Sequence, residues 1–412
     1  MPSDFELRPV TVDEVAAYVR ADLAAFGQSR VDAERLKLEW THHELDRTLA
    51  AFDEGEIVGT GRLYSLELTL PGGRLVPVAG VSWIAVLPTH RRLGMLSAIM
   101  SRQLDDAAAR GETMAVLHAS ESVIYRRFGY GVATSSIDFT LERRHATFLQ
   151  PVPVGGRVRL VDDETARKVF PELFDRARRV QPGAVSRVDA WWGDQFFHVE
   201  KKQEGSNFFV TYESPAHDLD GYAAYRTVNR WERGVSRNRL EVEDLVTVTP
   251  EARAVLWRYL CDVDLVETLT AWGCAVDEPL RWLLADSRRL QVERVSDGLW
   301  VRLLDAAAAL AARTYAAPGR VVFEVADLLR PDGAAAGRVA LEGGPDGADA
   351  RRTRDQPDLV LGVAELGAAY LGGVAFSTLA RAGLVEERTT GALARADAMF
   401  RTEPSPLAMT WF

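Results

Sequence analysis

One stretch, from Val81 to Gly131, constrains the fold of this chain more than any other part of it. The apolar run Leu75–Val86 predicts a strand that leads into it, and the turn Leu87–Gly94 separates that strand from an amphipathic helix that ends at Gly111. The short apolar run Met114–His118 then predicts a fully buried strand. Strand, turn, helix and strand in this order predict an α/β unit.

The turn of this unit carries the residues that a phosphate group requires. Backbone N–H groups from about Arg92 to Ser97 would lie in the turn and the first helical turn, where the helix dipole favours anions. Gly94 permits a close approach of the backbone, and Arg91 adds a further cationic donor. The strand Ile84–Val86 offers an edge to a peptide-like chain. This combination favours an acyl-coenzyme A site, and an ordinary strand–turn–helix connection with surface arginines is the alternative.

A second segment repeats the pattern of the first. Val246–Pro250 stands where Ile84–Pro88 stood, and a helical pattern follows at the same distance. The segment Glu251–Val255 contains no glycine, which disfavours a close approach of the backbone to a pyrophosphate. We therefore interpret residues 151–292 as a degenerate repeat that keeps the fold and has lost the cofactor site.

The remaining residues, 293–412, show shorter patterns after a first domain at 1–150 and the repeat at 151–292. These patterns predict helices at Leu303–Ala312, Leu359–Leu371 and Val374–Ala382, a strand at Arg320–Val325, and a further possible strand with loop-like flanks at Arg338–Leu341. The chain ends on the apolar segment Met409–Phe412, which we expect to dock on the protein rather than to trail in water.

Composition excludes several classes of function. The formal net charge of −10 disfavours nucleic acid as a partner and mildly favours cationic small molecules, unless it only keeps the chain soluble. No secretory signal and no run of apolar residues long enough to span a bilayer is present, so we expect a cytoplasmic protein with no membrane partner. Cys261 and Cys274 stand in no disulfide or zinc pattern and the histidines show no ligand spacing, so we expect core cysteines and no metal site.

Two motifs resemble those of a known superfamily. Val86–Gly94 resembles the acetyl-CoA loop of the GNAT acetyltransferases, and Tyr125–Gly131 extends the resemblance. With its length, its duplicated unit and its terminal Phe412, the chain is similar to the Eis (enhanced intracellular survival) family. This resemblance implies two tandem GNAT-like domains, the second degenerate, and a sterol carrier protein-like α+β domain at the end. It also implies acetyl-CoA as co-substrate and a homo-oligomer, a hexamer.

The resemblance also implies roles for individual residues. A GNAT enzyme transfers the acyl group directly from the thioester to an amine, so it needs a base for the ammonium proton and an acid for the departing thiolate. Tyr125 matches the family's general acid, with a core tyrosine as the alternative. The terminal carboxylate of Phe412 matches the family's base, with a docked but inert chain end as the alternative. We expect the cofactor-binding residues to be Ile84, Ala85, Val86, Arg91, Arg92, Leu93, Gly94, Met95, Leu96, Ser97, Ser120 and Glu121.

The acceptor site is less sharply predicted. Trp83 and Phe26 are candidates for an aromatic wall of the acceptor site, with ordinary core packing as the alternative for Phe26. His118, at the end of the buried strand, is a candidate for binding the acceptor or for catalysis, with a structural role as the alternative. Asp22 or Glu39 could bind a cationic amine, and the sequence does not choose between them. We expect acetyl transfer to an amine of a polyamine-like or aminoglycoside-like molecule. A protein lysine acetyltransferase and a non-catalytic acyl-CoA or lipid-binding module are the competing hypotheses.

Overall fold

The computed structural model describes residues 5–28, 44–152, 155–188, 191–192 and 206–412. These residues form two compact units. The first unit comprises the described residues up to Thr134 together with Leu299–Thr402 and Thr410–Phe412. The second unit comprises Ser135–Gly298 and Glu403–Met409.

A mixed sheet forms the centre of the first unit, with its strands in the order β1-β2-β3-β4-β5-β16-β6. Its strands are β1 (Glu6–Pro9), β2 (Thr48–Asp53), β3 (Glu56–Thr69), β4 (Leu75–Val86), β5 (Met114–His118), β6 (Gly131–Val132) and β16 (Leu299–Leu303). The helices that accompany it are α1 (Val15–Ala25), α2 (Met95–Ala109) and α3 (Ser122–Tyr125). Strands β4 and β5 run parallel, whereas the other neighbours in this sheet are antiparallel.

Local signals in the sequence fix several of these elements. Thr11 and Glu14 form a capping box at the 3₁₀ turn Val12–Glu14 that leads into α1, and Gly111 follows the last turn of α2 in a left-handed conformation. The strand predicted at Leu75–Val86 is β4 over the same residues, and the strand predicted at Met114–His118 is β5. The prediction of the strand–turn–helix–strand unit is therefore confirmed.

The C-terminal part of the first unit contains a second sheet, in the order β19-β18-β17-β20-β21. Its strands are β17 (Gly319–Ala326), β18 (Gly337–Gly344), β19 (Gly347–Arg352), β20 (Leu359–Gly362) and β21 (Val385–Glu387). Its helices are α7 (Ala306–Ala311), α8 (Val363–Tyr370), α9 (Phe376–Arg381) and α10 (Ala392–Phe400). The helix predicted at Leu359–Leu371 is wrong over its first four residues, because Leu359–Gly362 pairs in parallel with β17.

Close packing joins this C-terminal sheet region to the first sheet within the same unit. Helix α8 lies so close to β6 that a Cβ atom at Gly131 would clash with the Ala364 carbonyl oxygen, so only glycine fits there. A fully buried ion pair joins Arg302 Nη2 of β16 to Asp327 Oδ2 at 2.6 Å. The other Asp327 carboxylate oxygen accepts the backbone N–H groups of Leu329 and Arg330. The carboxylate therefore pairs with a buried cation and accepts hydrogen bonds from two main-chain donors at once.

The second unit repeats the sheet arrangement in the order β15-β7-β14-β13-β10-β9-β8. Its strands are β7 (Ser135–Glu142), β8 (Arg157–Val161), β9 (Ser206–Glu213), β10 (Leu219–Val228), β13 (Asn238–Thr247), β14 (Val266–Ala275) and β15 (Gln291–Asp297), with a separate hairpin of β11 (Trp231–Glu232) and β12 (Val235–Ser236). Its helices are α4 (Asp163–Arg178), α5 (Pro250–Asp262) and α6 (Leu280–Leu283). Strands β13 and β14 are parallel, as β4 and β5 are in the first unit.

Sheet hydrogen bonding crosses both boundaries that we drew in the sequence. Strand β7 precedes residue 150, yet it pairs with β14 and β15 of the second sheet. Strand β16 follows residue 292, yet it pairs with β5 and β6 of the first sheet. The domain limits at 150 and 292 therefore stay predictions, and the strand pairing does not follow them.

The two cysteines differ in their burial. Cys261 is buried, and Cys274 is half-buried. In the described ranges no helix is long and apolar enough to cross a membrane. No cluster of three or more histidine, cysteine, aspartate or glutamate side chains within those ranges could hold a metal ion.

Candidate active site

A cleft in the first unit lies between the end of β4, the start of α2 and the segment around α3, and we call it the cofactor cleft. It has a volume of about 420 Å³. It is lined by Ala25, Phe26, Ile84, Ala85, Val86, His90, Arg91, Arg92, Gly94, Met95, Leu96, Ser97, Ser120, Glu121, Ile124, Tyr125 and Arg127. The cleft thus gathers three arginines around the N-terminus of one helix.

The start of α2 leaves its backbone donors available. Gly94 is the N-cap residue and has a φ of +87°, and no side chain caps the helix. The N–H groups of Met95, Leu96 and Ser97 have no partner within the helix by its geometry, so they can receive an anion. A Cβ atom at Gly94 would meet no atom within 4 Å. Glycine is therefore favoured here by the left-handed backbone conformation and not by a lack of space.

The turn before α2 is tied to the neighbouring sheet. His90 Nε2 lies 3.0 Å from a carboxylate oxygen of Asp53 at the end of β2, and His90 Nδ1 lies 2.7 Å from the Thr89 hydroxyl. Arg92 adopts a left-handed φ of +68° that is uncommon for a residue with a side chain. The turn is therefore held in one conformation, with Arg91 and Arg92 exposed at the cleft.

Strands β4 and β5 separate to open the cleft. Their pairing runs from Ala79 to Val81 on β4 and from Ala115 to Leu117 on β5. Past this point a bulge sets Trp83 and Ile84 opposite the single residue Gly61 of β3, and Trp83 has a φ of +54°. The bulge turns the end of β4 away from β5, so that Ile84–Val86 lines the cleft.

A second cavity, the acceptor cavity, lies on the other side of Tyr125 in the same unit. It has a volume of about 410 Å³. It is lined by Asp22, Leu23, Phe26, Gln28, Val81, Ser82, Trp83, Ile84, His118, Ser120, Tyr125 and Phe412. Four residues line both spaces: Phe26, Ile84, Ser120 and Tyr125. The described lining of the acceptor cavity contains a carboxylate and several aromatic rings but neither lysine nor arginine.

The Trp83 ring forms a fixed wall of the acceptor cavity. It stacks on the Tyr18 ring at 6.1 Å between centroids, and the buried Arg62 guanidinium lies 4.3 Å from its centroid. The Thr60 hydroxyl lies 3.0 Å from the Trp83 carbonyl oxygen and 3.1 Å from a carboxylate oxygen of Asp22. Asp22 is buried and nevertheless lines the cavity, so its carboxylate is held in place at the wall.

Tyr125 occupies the junction of the two spaces. Only 5% of the residue is exposed, and its ring meets the edge of the Tyr130 ring with centroids 6.3 Å apart. Burial raises the pKa of the Tyr125 hydroxyl, a hydrogen bond with Ser120 partly opposes this rise, and the nearby Glu121 carboxylate adds to it. The phenol therefore stays protonated at neutral pH and can donate a proton.

The end of the chain docks in the acceptor cavity, as its apolar sequence predicts. Thr410 is fully buried, and the Phe412 ring meets the edge of the Tyr64 ring with centroids 6.3 Å apart. His118 lies at the end of β5, and its Nε2 atom lies 2.9 Å from the Thr410 carbonyl oxygen. The C-terminus of the chain is thus part of the site.

The structure brings together almost all residues predicted for the site. The predicted cofactor-binding residues line the cofactor cleft except Leu93, which is exposed and lines neither space. Phe26 is 53% exposed and lines both spaces, so it is not a core residue. Glu39 lies outside the described residues, and Asp22 lies at the cavity.

Some lining residues escaped the sequence analysis. Gln28 and Ser82 line the acceptor cavity, and His90 and Arg127 line the cofactor cleft. Arg127 lies within the segment Tyr125–Gly131 that carried the resemblance, so it could have been found. Gln28 gave no signal, because only the fold brings the end of α1 to the cavity.

Comparisons with known proteins identify the domains of this chain. Acetyltransferase (GNAT) domains match residues 6–133 and 183–303, and a sterol carrier protein domain matches residues 306–409. The N-acetyltransferase Eis of Mycobacterium tuberculosis is 36% identical over 84% of this chain and 84% of its own length. The chain belongs to the Eis family of GNAT N-acetyltransferases.

Further members of the family support the assignment. An uncharacterized N-acetyltransferase of Streptomyces avermitilis is 38% identical over 98% of both chains. The crystal structure of Eis1 from Mycobacterium abscessus is 37% identical, covers 99% of this chain and 100% of its own, and superposes with a TM-score of 0.88. The chain is therefore an acetyltransferase with two GNAT domains and a sterol carrier protein-like domain, as the resemblance predicted.

This fold implies an acyl-CoA co-substrate, and the residues present fit one. The uncapped start of α2 offers N–H donors to a pyrophosphate, and Arg91 and Arg92 lie beside it. The separated edge of β4 can pair with a peptide-like arm that leads from there to Tyr125.

Proposed function

We propose that this member of the family transfers the acetyl group of acetyl-CoA directly to an amine of a cationic small molecule, of the polyamine or aminoglycoside type. One observation carries this proposal: two cavities of opposite charge meet at Tyr125. The cofactor cleft contributes Arg91, Arg92 and Arg127, which suit a polyanionic co-substrate. The acceptor cavity contributes a carboxylate and no lysine or arginine within its described lining.

The lining of the acceptor cavity favours a cation. Asp22 supplies a carboxylate at the wall, and Phe412 carries the chain's terminal carboxyl group. The rings of Trp83 and Phe26 add aromatic surface, which attracts ammonium groups through the negative face of the π-system. The net charge of −10 adds a weak long-range attraction of the same sign. An acceptor with several ammonium groups can satisfy all of these features together.

Two residues supply the proton transfers. The terminal carboxylate of Phe412 accepts a proton from the acceptor's ammonium group, and the free amine then forms a bond to the thioester carbonyl carbon as the carbon–sulfur bond breaks. N–H groups at the edge of β4, around Ile84–Val86, can polarise the thioester carbonyl. The Tyr125 hydroxyl donates its proton to the departing thiolate, and the second proton that the nitrogen loses as the amide forms restores the phenol. No covalent intermediate on the protein is required.

Release of free thiol from acetyl-CoA with a panel of amines tests the proposal. We expect turnover with spermidine-type polyamines or kanamycin-type aminoglycosides, and little with a neutral-tailed monoamine. We further expect Asp22→Asn to raise KM for the polycation and to leave KM for acetyl-CoA unchanged. Asp13→Asn is the matched control, because Asp13 is an exposed carboxylate ahead of the same helix and lines neither cavity.

Two results would overturn parts of the proposal. Faster turnover of a lysine peptide than of every small amine would indicate a protein acetyltransferase. Tight binding of acetyl-CoA with no thiol release for any amine would contradict the proposed reaction. The hexameric state and the cytoplasmic location stay predictions from the sequence.

A further inference from the structure

Thr410, Trp411 and Phe412 at the end of the chain all contact the His118 side chain, which was predicted to bind the acceptor. We propose that His118 is a positioning residue that holds the terminal carboxylate of Phe412 in place, and that it does not itself act as the base. This inference rests on the proposed function in one respect, namely that the terminal carboxylate is the base.

The backbone of His118 is held by the sheet. His118 ends β5 and is paired opposite Leu299 of β16, whereas the pairing of β5 with β4 stops one residue earlier, at Leu117. A residue that is paired to a neighbouring strand has little freedom in its Cα position. The imidazole therefore offers a fixed point on the sheet to which a chain end can be attached.

The imidazole contacts three consecutive residues of the chain end. Its Nε2 atom lies 2.9 Å from the Thr410 carbonyl oxygen, and because a carbonyl oxygen only accepts hydrogen bonds, Nε2 carries a proton and donates it. The ring stacks on the Trp411 ring, with centroids 4.0 Å apart and planes at 26°. It also meets the Phe412 ring at 67°, with centroids 5.1 Å apart.

These contacts matter because a chain end is normally mobile. Trp411 is 55% exposed, so the chain end is not held by burial of that residue. The hydrogen bond at Thr410 fixes the main chain two residues before the carboxylate, and the two ring contacts limit rotation beyond it. Because Nε2 already bears the proton that it donates to Thr410, this atom cannot accept a proton from the acceptor.

Two substitutions of similar size separate positioning from base catalysis. In His118→Gln the amide nitrogen can occupy the place of Nε2 and donate to Thr410, whereas in His118→Asn the nitrogen is too close to the backbone to reach it. Neither amide titrates. We expect His118→Asn to lower kcat about tenfold, the effect of one lost hydrogen bond, with an unchanged Kd for acetyl-CoA, and His118→Gln to stay near the wild type.

Digestion of the full-length protein with a carboxypeptidase that removes aromatic residues gives a readout independent of catalysis. We expect Phe412 to be released about tenfold faster from His118→Asn than from the wild type and from His118→Gln, as followed by mass spectrometry. We also expect the pH profile of kcat for His118→Gln to match that of the wild type, since the base is elsewhere.

The outcomes distinguish the two proposals. Equal release of Phe412 from all three proteins would overturn the positioning role, even if no amine were ever acetylated. A His118→Gln enzyme as inactive as His118→Asn, or one that lost the acidic limb of its pH profile, would also overturn it and make His118 the base. Faster release from His118→Asn with full kcat would uphold the contact and instead refute the terminal carboxylate as base.

Discussion

The hydroxyl of Tyr125 can be removed with little other change, which makes Tyr125→Phe the sharpest test of the proposed chemistry. The ring is fixed by its burial and by the edge of Tyr130, and phenylalanine keeps both contacts. The hydroxyl makes a hydrogen bond with Ser120, whose loss costs about 1 kcal/mol in the free energy of unfolding. Loss of a positioned general acid lowers the rate by roughly 10²- to 10⁴-fold. We therefore expect a large loss of kcat in a protein of nearly normal stability.

The pH dependence follows from the direction of the pKa shift. A general acid works in its protonated form, which exists below its pKa. Burial raises the pKa of Tyr125 above the usual value of tyrosine, the hydrogen bond with Ser120 opposes this rise in part, and the Glu121 carboxylate adds a smaller rise. The alkaline limb of the kcat profile is therefore shifted upward in the wild type. In Tyr125→Phe that limb disappears, because no group of this kind remains to lose its proton.

Thiol release at saturating acetyl-CoA and amine measures the effect, and chemical unfolding measures stability. Tyr130→Phe is the matched control, since Tyr130 is a fully buried tyrosine beside Tyr125 that lines neither cavity. We expect this control to retain nearly full kcat. A Tyr125→Phe enzyme that lost less than about tenfold in kcat would contradict the assignment of Tyr125 as general acid.

Three further perturbations test other parts of the structure. A glycine added after Phe412 moves the terminal carboxylate. We therefore expect this variant to release no thiol but to bind acetyl-CoA normally, as measured by calorimetry. Normal turnover would refute the assignment of the terminal carboxylate as base. Gly94→Val places a side chain at a φ of +87°, which costs about 1–2 kcal/mol locally, and we expect weaker acetyl-CoA binding with little change in the acceptor's KM. Asp327→Ala leaves Arg302 buried without its carboxylate and should cost about 3–5 kcal/mol in urea unfolding, whereas removal of the exposed Asp105, the partner of Arg330, should cost at most about 1 kcal/mol.

Local patterns predicted the cofactor cleft well because its parts are adjacent in sequence. One continuous segment, Leu75–Ser97, contains the strand β4, the turn and the start of α2. The spacing of its apolar residues, its turn residues and the glycine at the N-cap could therefore all be recognised in the sequence. The acceptor cavity draws instead on α1, on β5 and on the last residue of the chain. Only the resemblance to a family could connect Phe412 with Tyr125 before the fold was known.

Non-local strand pairing explains the differences between prediction and structure. Leu359–Gly362 is a short apolar run that suits a helix or a buried strand equally, and its parallel partner β17 decides for the strand. Strand β7 alternates buried Ile137, Phe139 and Leu141 with more exposed residues, a signal that the sequence analysis did not use. Even with that signal, the assignment of β7 to the second sheet would not follow, because its partners β14 and β15 lie far along the chain.

The two repeats differ most where each parallel strand leads into its helix. At the start of α5 the Thr249 hydroxyl accepts the Ala252 N–H, and Pro250 has no N–H to offer. Glu251 adds a negative charge to the first turn and accepts a hydrogen bond from Tyr212. The chain's own groups thus occupy the place that an anion would take, and the carboxylate repels one. In α2 neither a capping side chain nor an acidic residue stands at the corresponding place, so we infer that acyl-CoA binds the first repeat alone.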